Sequence, residues 1–212
     1  MNLPAFYPIL DADRIPAIPA AEALLGAGAR ILQFRHKSFF SRSAFQDASR
    51  IAELCRSAGA LFVVNDRADI AMLLNAGLHL GQDDLSPADA RRILPAGTII
   101  GFSTHNEDQL RAADLEPVDY LAIGPIFATG SKQNPDPVVG LDRLRALRTL
   151  TSKPLVAIGG ITRQLAPQVF EAGADSVAIL GDLLPDVRAR AEEWIAISAR
   201  ADARDAGGHE AR

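Results

Sequence analysis

The sequence predicts an α/β fold, a single (β/α)8 TIM barrel, on three observations. Short apolar runs alternate with longer helical patterns, the alternation recurs without a linker, and polar residues gather at the ends of successive apolar runs. The predicted strands are 6–10, 30–34, 61–65, 77–80, 98–101, 120–123, 155–158 and 176–180. Near-continuous apolar runs of this kind suit parallel strands covered on both faces. Between them, helical patterns occupy 43–58, 68–76, 86–94, 107–115, 141–150 and 164–172. Ser86 before Pro87 is a favourable helix start. Ala-Gly pairs at Gly28, Gly59, Gly77 and Gly173 stand where a helix must stop and turn into the next strand. An open doubly wound sheet is the alternative arrangement, but eight units fit a closed barrel, which leaves no edge strands. The barrel is expected over residues 1–198, followed by a polar, flexible tail at 199–212 that contains a Gly-Gly pair and His209.

With 212 residues, the chain fits one barrel domain. It is 48% hydrophobic and 23% charged with a net charge of −4, which gives no global attraction to nucleic acid or acidic membranes. Any anion site must therefore be local. The only cysteine, Cys55, shares a helical face with Ile51, Leu54 and Ala58 and reads as a small core residue rather than a nucleophile. No basic leader or long apolar run is evident, so the expected location is the cytoplasm. The number of copies in an assembly is left open.

In a barrel the C-terminal strand ends share one rim, and the loops that follow them form the active-site face. After the second strand, alternation puts Gln33, Arg35 and Lys37 on one side and Phe34 on the other. A merely basic surface is the plainer reading, but this placement favours a phosphate clamp, with arginine forking two oxygens and lysine adding a point charge. His36 has the opposite parity and is expected to be packed or solvated. Asn65-Asp66-Arg67 and Gly81-Gln82-Asp83-Asp84 end the third and fourth strands, so each delivers a carboxylate to the rim. Such a pair suits Mg²⁺, which takes one or two carboxylates and fills its remaining positions with water and substrate phosphate. The expected ligands are Asp66 and Asp83, with Asp84 assigned to capping the helix begun near Ser86. His79 could face the interior, but without companions it is a weak signal.

The run Gly124-Pro-Ile-Phe-Ala-Thr129-Gly-Ser131-Lys132 begins a long loop whose hydroxyls and lysine can meet phosphate. Gly159-Gly160 and Leu180-Gly181 end the last two strands, where barrels of this kind commonly hold phosphate through backbone amides. Two anion sites on opposite sides of one mouth point to two phosphorylated groups.

The ordered motifs QFRHK, NDRADIA, GLHLGQDDL, GFSTH, DYLAIGPIFATGSK, PLVAIGGI and GADSVAIL resemble the thiamine phosphate synthase family from first strand to last. The resemblance implies that Gln33, Arg35, Lys37, Asn65 and Lys132 hold a diphosphate-bearing pyrimidine. It places Ser103 near the same substrate, with Ser103 and Lys132 as the catalytic pair. It further implies that Asp66 and Asp83 bind Mg²⁺, and that Thr129, Ser131, Gly160 and the backbone at Leu180 and Gly181 hold a thiazole phosphate. The implied reaction expels diphosphate from the pyrimidine methylene, and the thiazole nitrogen captures the resulting cation, so no protein nucleophile is needed. Two positions depart from the family pattern: Ser131 replaces a usual threonine, and Gly181 replaces a usual serine and offers only its amide. A thiazole tautomerase resembles the chain less, lacking the full basic clamp and carrying histidine where Pro125 stands. A non-catalytic thiamine-phosphate-binding barrel need not keep Arg35, Lys37 and both carboxylates. A generic sugar-phosphate isomerase explains one phosphate site but not two.

Overall fold

The computed structural model describes residues 2–130, 136–184 and 186–208. Its strands are β1 Phe6–Asp11, β2 Ile31–Arg35, β3 Leu61–Asn65, β4 Gly77–Leu80, β5 Ile100–Thr104, β6 Tyr120–Ile123, β7 Leu155–Ile158 and β8 Ser176–Ile179. All pair in parallel with their sequence neighbours, and β8 closes on β1. The alternating helices are α1 Ala17–Gly26, α2 Arg42–Ser57, α3 Ala68–Leu74, α4 Pro87–Ile93, α5 Glu107–Asp114, α6 Gly140–Arg148, α7 Ala166–Glu171 and α8 Val187–Gly208. The fold is thus the expected (β/α)8 barrel.

Strand parity sorts the apolar residues into two shells. Tyr7, Ile9, Ile31, Val63, Tyr120, Ala122, Val156 and Ala178 fill the barrel interior. Phe6, Leu10, Leu32, Phe34, Val64 and Leu78, on the intervening positions, face the helices. Phe6 stacks on the buried Trp194 of α8 with ring centroids 5.7 Å apart, so the last helix is fastened to the first strand. Cys55 lies in the outer shell, where burial pushes its thiol up to about 12, as suits a core residue.

Three local expectations shift. β5 begins at Ile100 and runs to Thr104, later than the apolar run at 98–101 indicates, because pairing to β6 continues through Ser103 and Thr104. The Thr104 hydroxyl even donates to the Ala122 carbonyl at 2.8 Å, so polarity does not end this strand. Gly77 is the first residue of β4, and the left-handed position after α3 falls on Asn75, with φ of 52°. Finally, α8 continues to Gly208, so the boundary set at 198 does not coincide with a helix end. Among the described residues no helix is long and apolar enough to cross a membrane.

One interior position governs the shape of the floor. Gly101 is beside Tyr120 in the β5–β6 register, and a Cβ at Gly101 would lie 2.0 Å from the Tyr120 Cζ. The missing side chain is what lets the tyrosine ring lie across the barrel. Gly101→Ala is expected to lower stability by about 1–3 kcal/mol, as overpacking does, measured by urea denaturation.

A candidate active site at the barrel mouth

Arg35 ends β2 and Asp11 ends β1, and the two are register partners. Their side chains meet, with Arg35 Nη1 donating to Asp11 Oδ2 at 2.6 Å. The buried Asp11 thereby fixes one side of the guanidinium. Lys37 follows in the β2 loop, where Asp13 Oδ2 accepts from its backbone N–H at 2.6 Å and from that of Ser38 at 3.3 Å. The Lys37 ammonium reaches across to pair with Asp66. His36, as its parity indicates, packs against Phe34 and Phe40.

Asp66 immediately follows β3 and has a φ of 64°, a region that non-glycine residues seldom occupy. Its N–H donates to the His79 carbonyl at 2.8 Å, which holds this turn against β4. Such conformations cost about 1–3 kcal/mol and persist where surrounding structure enforces them, often at functional sites. The carboxylate that faces Asp66 belongs to Asp84, within hydrogen-bonding reach of it. Asp84 Oδ2 also accepts from the Gly81 N–H at 2.6 Å, so its own loop aims it inward. Asp83 is exposed. The capping role that would have occupied Asp84 is filled by Ser86, whose hydroxyl accepts from the Asp89 N–H at 3.1 Å. Burial, together with the nearby Asp84 charge, holds the Asp66 carboxyl above its ordinary value, although Lys37 acts in the opposite sense. Beside this pair, the Nδ2 group of Asn65 is buried without a hydrogen-bond partner. A donor left so is suited to an incoming acceptor.

No group of three or more His, Cys, Asp and Glu arranged to hold a metal occurs among the described residues. Two convergent carboxylates nonetheless fit a hard cation that takes few protein ligands.

Beneath the rim, a chain of hydrogen bonds crosses the barrel. Gln33 Nε2 donates to the Tyr7 hydroxyl at 2.9 Å, and the Tyr7 and Tyr120 hydroxyls lie 2.7 Å apart. Tyr120 Oη is 2.9 Å from His79 Nδ1, and His79 Nε2 is 2.8 Å from Ser103 Oγ. Burial lowers His79 to about 4, so the imidazole is neutral at pH 7. Burial likewise pushes Tyr7 up to about 12 and Tyr120 well above its ordinary value. Ser103 is gripped from outside as well, since Gln82 Nε2 donates to its carbonyl at 2.6 Å.

Across the ring from β3 lie the loops after β6, β7 and β8. Gly160 has φ of 65°, and a Cβ there would lie 2.5 Å from the Ala128 carbonyl oxygen. The β6 loop therefore rests directly on the Gly159-Gly160 turn. Two hydrogen bonds hold it there: Ile126 N–H to the Ile158 carbonyl at 2.9 Å, and Phe127 N–H to that of Gly159 at 3.0 Å. After β8, Leu180 leads into a 3₁₀ turn at Gly181–Leu183. Asp182 in that turn accepts from Arg163 Nε at 2.9 Å and from Trp194 Nε1 at 3.0 Å, which ties the β7 and β8 loops to α8.

Gln33, Arg35, Lys37, Asn65, Asp66 and Ser103 thus stand at or under one side of the mouth, while Thr129, Gly160, Leu180 and Gly181 belong to loops on the other. Ser131 and Lys132 lie outside the described residues. Asp11, Tyr7 and Tyr120 were not singled out from the sequence, Asp84 was assigned to a helix cap, and His79 was discounted. A signal did exist for the tyrosines: the chain has two, and each lies on a strand.

The thiamine monophosphate synthase family matches residues 6–183. A thiamine-phosphate synthase of Koribacter versatilis is 50% identical over 205 residues, covering 93% of this chain and 97% of the relative. One from Moorella thermoacetica is 40% identical over 189 residues, covering 88% and 90%. Among solved structures, a thiamine phosphate pyrophosphorylase from Pyrococcus furiosus superposes with a TM-score of 0.85 at 31% identity, covering 93% of this chain and 96% of that one.

A raised carboxyl pKa means that the folded chain binds the Asp66 proton more tightly than the unfolded chain does. The stability this confers is complete below the ordinary aspartate value of 3.8 and is lost as pH rises through the higher folded value. In metal-free buffer, the stability of the wild type minus that of Asp66→Asn is expected to fall as pH rises above 3.8, measured by denaturation at several pH values. A difference that grows with pH would mean that the Lys37 pairing outweighs burial and Asp84.

Proposed function

Because the chain belongs to the thiamine monophosphate synthase family and is a transferase that forms thiamine phosphate, we propose that it condenses hydroxymethylpyrimidine diphosphate with hydroxyethylthiazole phosphate and releases diphosphate, or with its carboxylated form and releases diphosphate and carbon dioxide. The observation that carries this reading is the position of the Asp66–Asp84 carboxylate pair beside the Lys37 ammonium, across the ring from the Gly159-Gly160 turn.

In this reading Arg35 and Lys37 bind the diphosphate and stabilise the negative charge that develops as it leaves the pyrimidine methylene. Gln33 and Ser103 hold the pyrimidine ring over the buried floor, and the unpartnered Nδ2 of Asn65 donates to the same substrate. Asp66 and Asp84 would hold Mg²⁺, with Asp84 taking the place first given to Asp83 because its carboxylate faces Asp66. When bound, the ion supplies positive charge next to the diphosphate oxygens. The resulting methylene cation is captured by the thiazole nitrogen. The thiazole phosphate is held on the far rim by Thr129, Ser131, Gly160 and the Leu180-Gly181 backbone, while Lys132 joins Arg35 and Lys37 on the pyrimidine diphosphate. Both substrates are small phosphorylated molecules, which do not cross membranes unaided and so support a cytoplasmic setting.

Incubating the purified protein with the two substrates should give thiamine phosphate with Mg²⁺ and at least about 100-fold less with a chelator, a loss comparable to removing a principal source of charge stabilisation. Asp84→Asn and Asp66→Asn are expected to lower kcat/KM by a similar factor, whereas Asp83→Asn should stay within about threefold of the wild type. Equal losses at positions 83 and 84 would return Asp83 to the site, and metal-independent turnover would remove the ion from the mechanism.

A further inference from the structure

The floor of the mouth has more hydrogen-bonding structure than substrate contact alone requires. Five side chains from five different strands form one unbranched series: Gln33, Tyr7, Tyr120, His79 and Ser103. Gln33, Tyr7, Tyr120 and His79 are buried. Each hydroxyl has a single hydrogen, and a neutral imidazole has one N–H and one bare nitrogen, so when every buried hydrogen is used within the series the direction of any one bond fixes the direction of all the others. Two such states exist, one the reverse of the other, and the reverse needs the Gln33 amide turned so that Oε1 in place of Nε2 meets Tyr7.

We propose that Tyr7 and Tyr120 are positioning residues that set the polarity of this series, so that the Ser103 hydroxyl donates to the pyrimidine substrate. The direction starts at Gln33, whose Nε2 carries hydrogens alone and must donate to Tyr7. Tyr7 then donates to Tyr120, and Tyr120 to His79 Nδ1. The imidazole proton therefore sits on Nε2 and is donated to Ser103 Oγ. With an acceptor site of its oxygen occupied in this way, Ser103 keeps its own hydrogen for the mouth.

The consequence for recognition is chemical. Ring nitrogens of a pyrimidine accept hydrogen bonds and do not donate them. In the reversed series the Ser103 hydrogen would be spent on His79, and the serine would turn lone pairs toward the ring nitrogen. A site that presents the wrong member of a donor–acceptor pair discriminates strongly against its ligand. The tyrosines touch no reacting atom in this scheme and act through His79 and Ser103. The inference rests on the proposed placement of the pyrimidine over Gln33 and Ser103.

The test is nitrogen NMR of the full chain labelled with ¹⁵N-histidine. The chain has four histidines, and the His79 signals are identified by their loss in His79→Gln. The wild type is expected to show a protonated Nε2 and a bare Nδ1. Tyr120→Phe keeps the ring over Gly101 but removes the donor to Nδ1, so it should shift His79 from the Nε2–H form toward a mixture of the two tautomers. It should also raise KM for the pyrimidine diphosphate by about tenfold or more, the size of effect expected for one mismatched buried hydrogen bond. KM for the thiazole phosphate should stay within about twofold, a split that general loosening of the barrel would not produce. Tyr7→Phe interrupts the same series one link earlier and serves if Tyr120→Phe does not fold. A wild-type proton on Nδ1, a His79 tautomer unchanged by Tyr120→Phe, or an unchanged pyrimidine KM would each overturn the proposal. A wild type that shows the Nε2 tautomer but makes no thiamine phosphate would instead sink the functional reading and leave the polarity of the series standing.

Discussion

Contact between the Tyr7 and Tyr120 hydroxyls, 2.7 Å apart in the middle of the closed barrel, is the constraint around which the interior is arranged. Eight strands enclose a space that side chains must fill to native density, and polar atoms placed there must find partners within it. Two large rings meet at an angle of 67° and fill much of the floor. Their hydroxyls then need neighbours, which Gln33 and His79 provide. Gly101 is the complementary requirement, because the Tyr120 ring occupies the volume its side chain would take. Core packing and the polar floor are therefore one construction.

Above that floor the electrostatics are local. A chain of net charge −4 collects Arg35 and Lys37 at one arc of the rim and holds both with carboxylates from the β1 loop and the β3 end. Asp11 orients the guanidinium, Asp13 anchors the backbone at Lys37, and Asp66 meets the ammonium. The left-handed Asp66 and the close approach of Asp84 are both unfavourable for an isolated fold. Their position at the mouth is where such costs are commonly retained for binding, as happens when a cation or a phosphate completes the arrangement.

The opposite arc is built from backbone. The Gly159-Gly160 turn admits the β6 loop because no Cβ stands in its way, and Asp182 braces the turn after β8 through Arg163 and Trp194. Trp194 in turn stacks on Phe6, so the last helix connects this arc to the first strand of the barrel. Gly181 sits in a turn whose geometry is held by its neighbours.

Periodicity and turn residues by themselves determined the eight alternating strand and helix units and favoured a closed barrel over an open sheet, because a period of two and its interruption are local properties of the chain. That Gln33 and Arg35 share one side of β2 was legible for the same reason, whereas Lys37 lies beyond the end of the strand. What parity could not supply was the partner of each polar group. Whether Asp83 or Asp84 faces Asp66 depends on a loop in which Gly81 binds one carboxylate and Ser86 takes over the helix cap. His79 looked solitary because its companions, Tyr120 and Ser103, lie 41 and 24 residues away in sequence. Ser103 itself fell outside the expected strand, since pairing with β6, a long-range interaction, extends β5 through polar residues. Closure of the barrel decided these points: only when β8 pairs with β1 do side chains from distant strands share one enclosed volume and have to satisfy one another there.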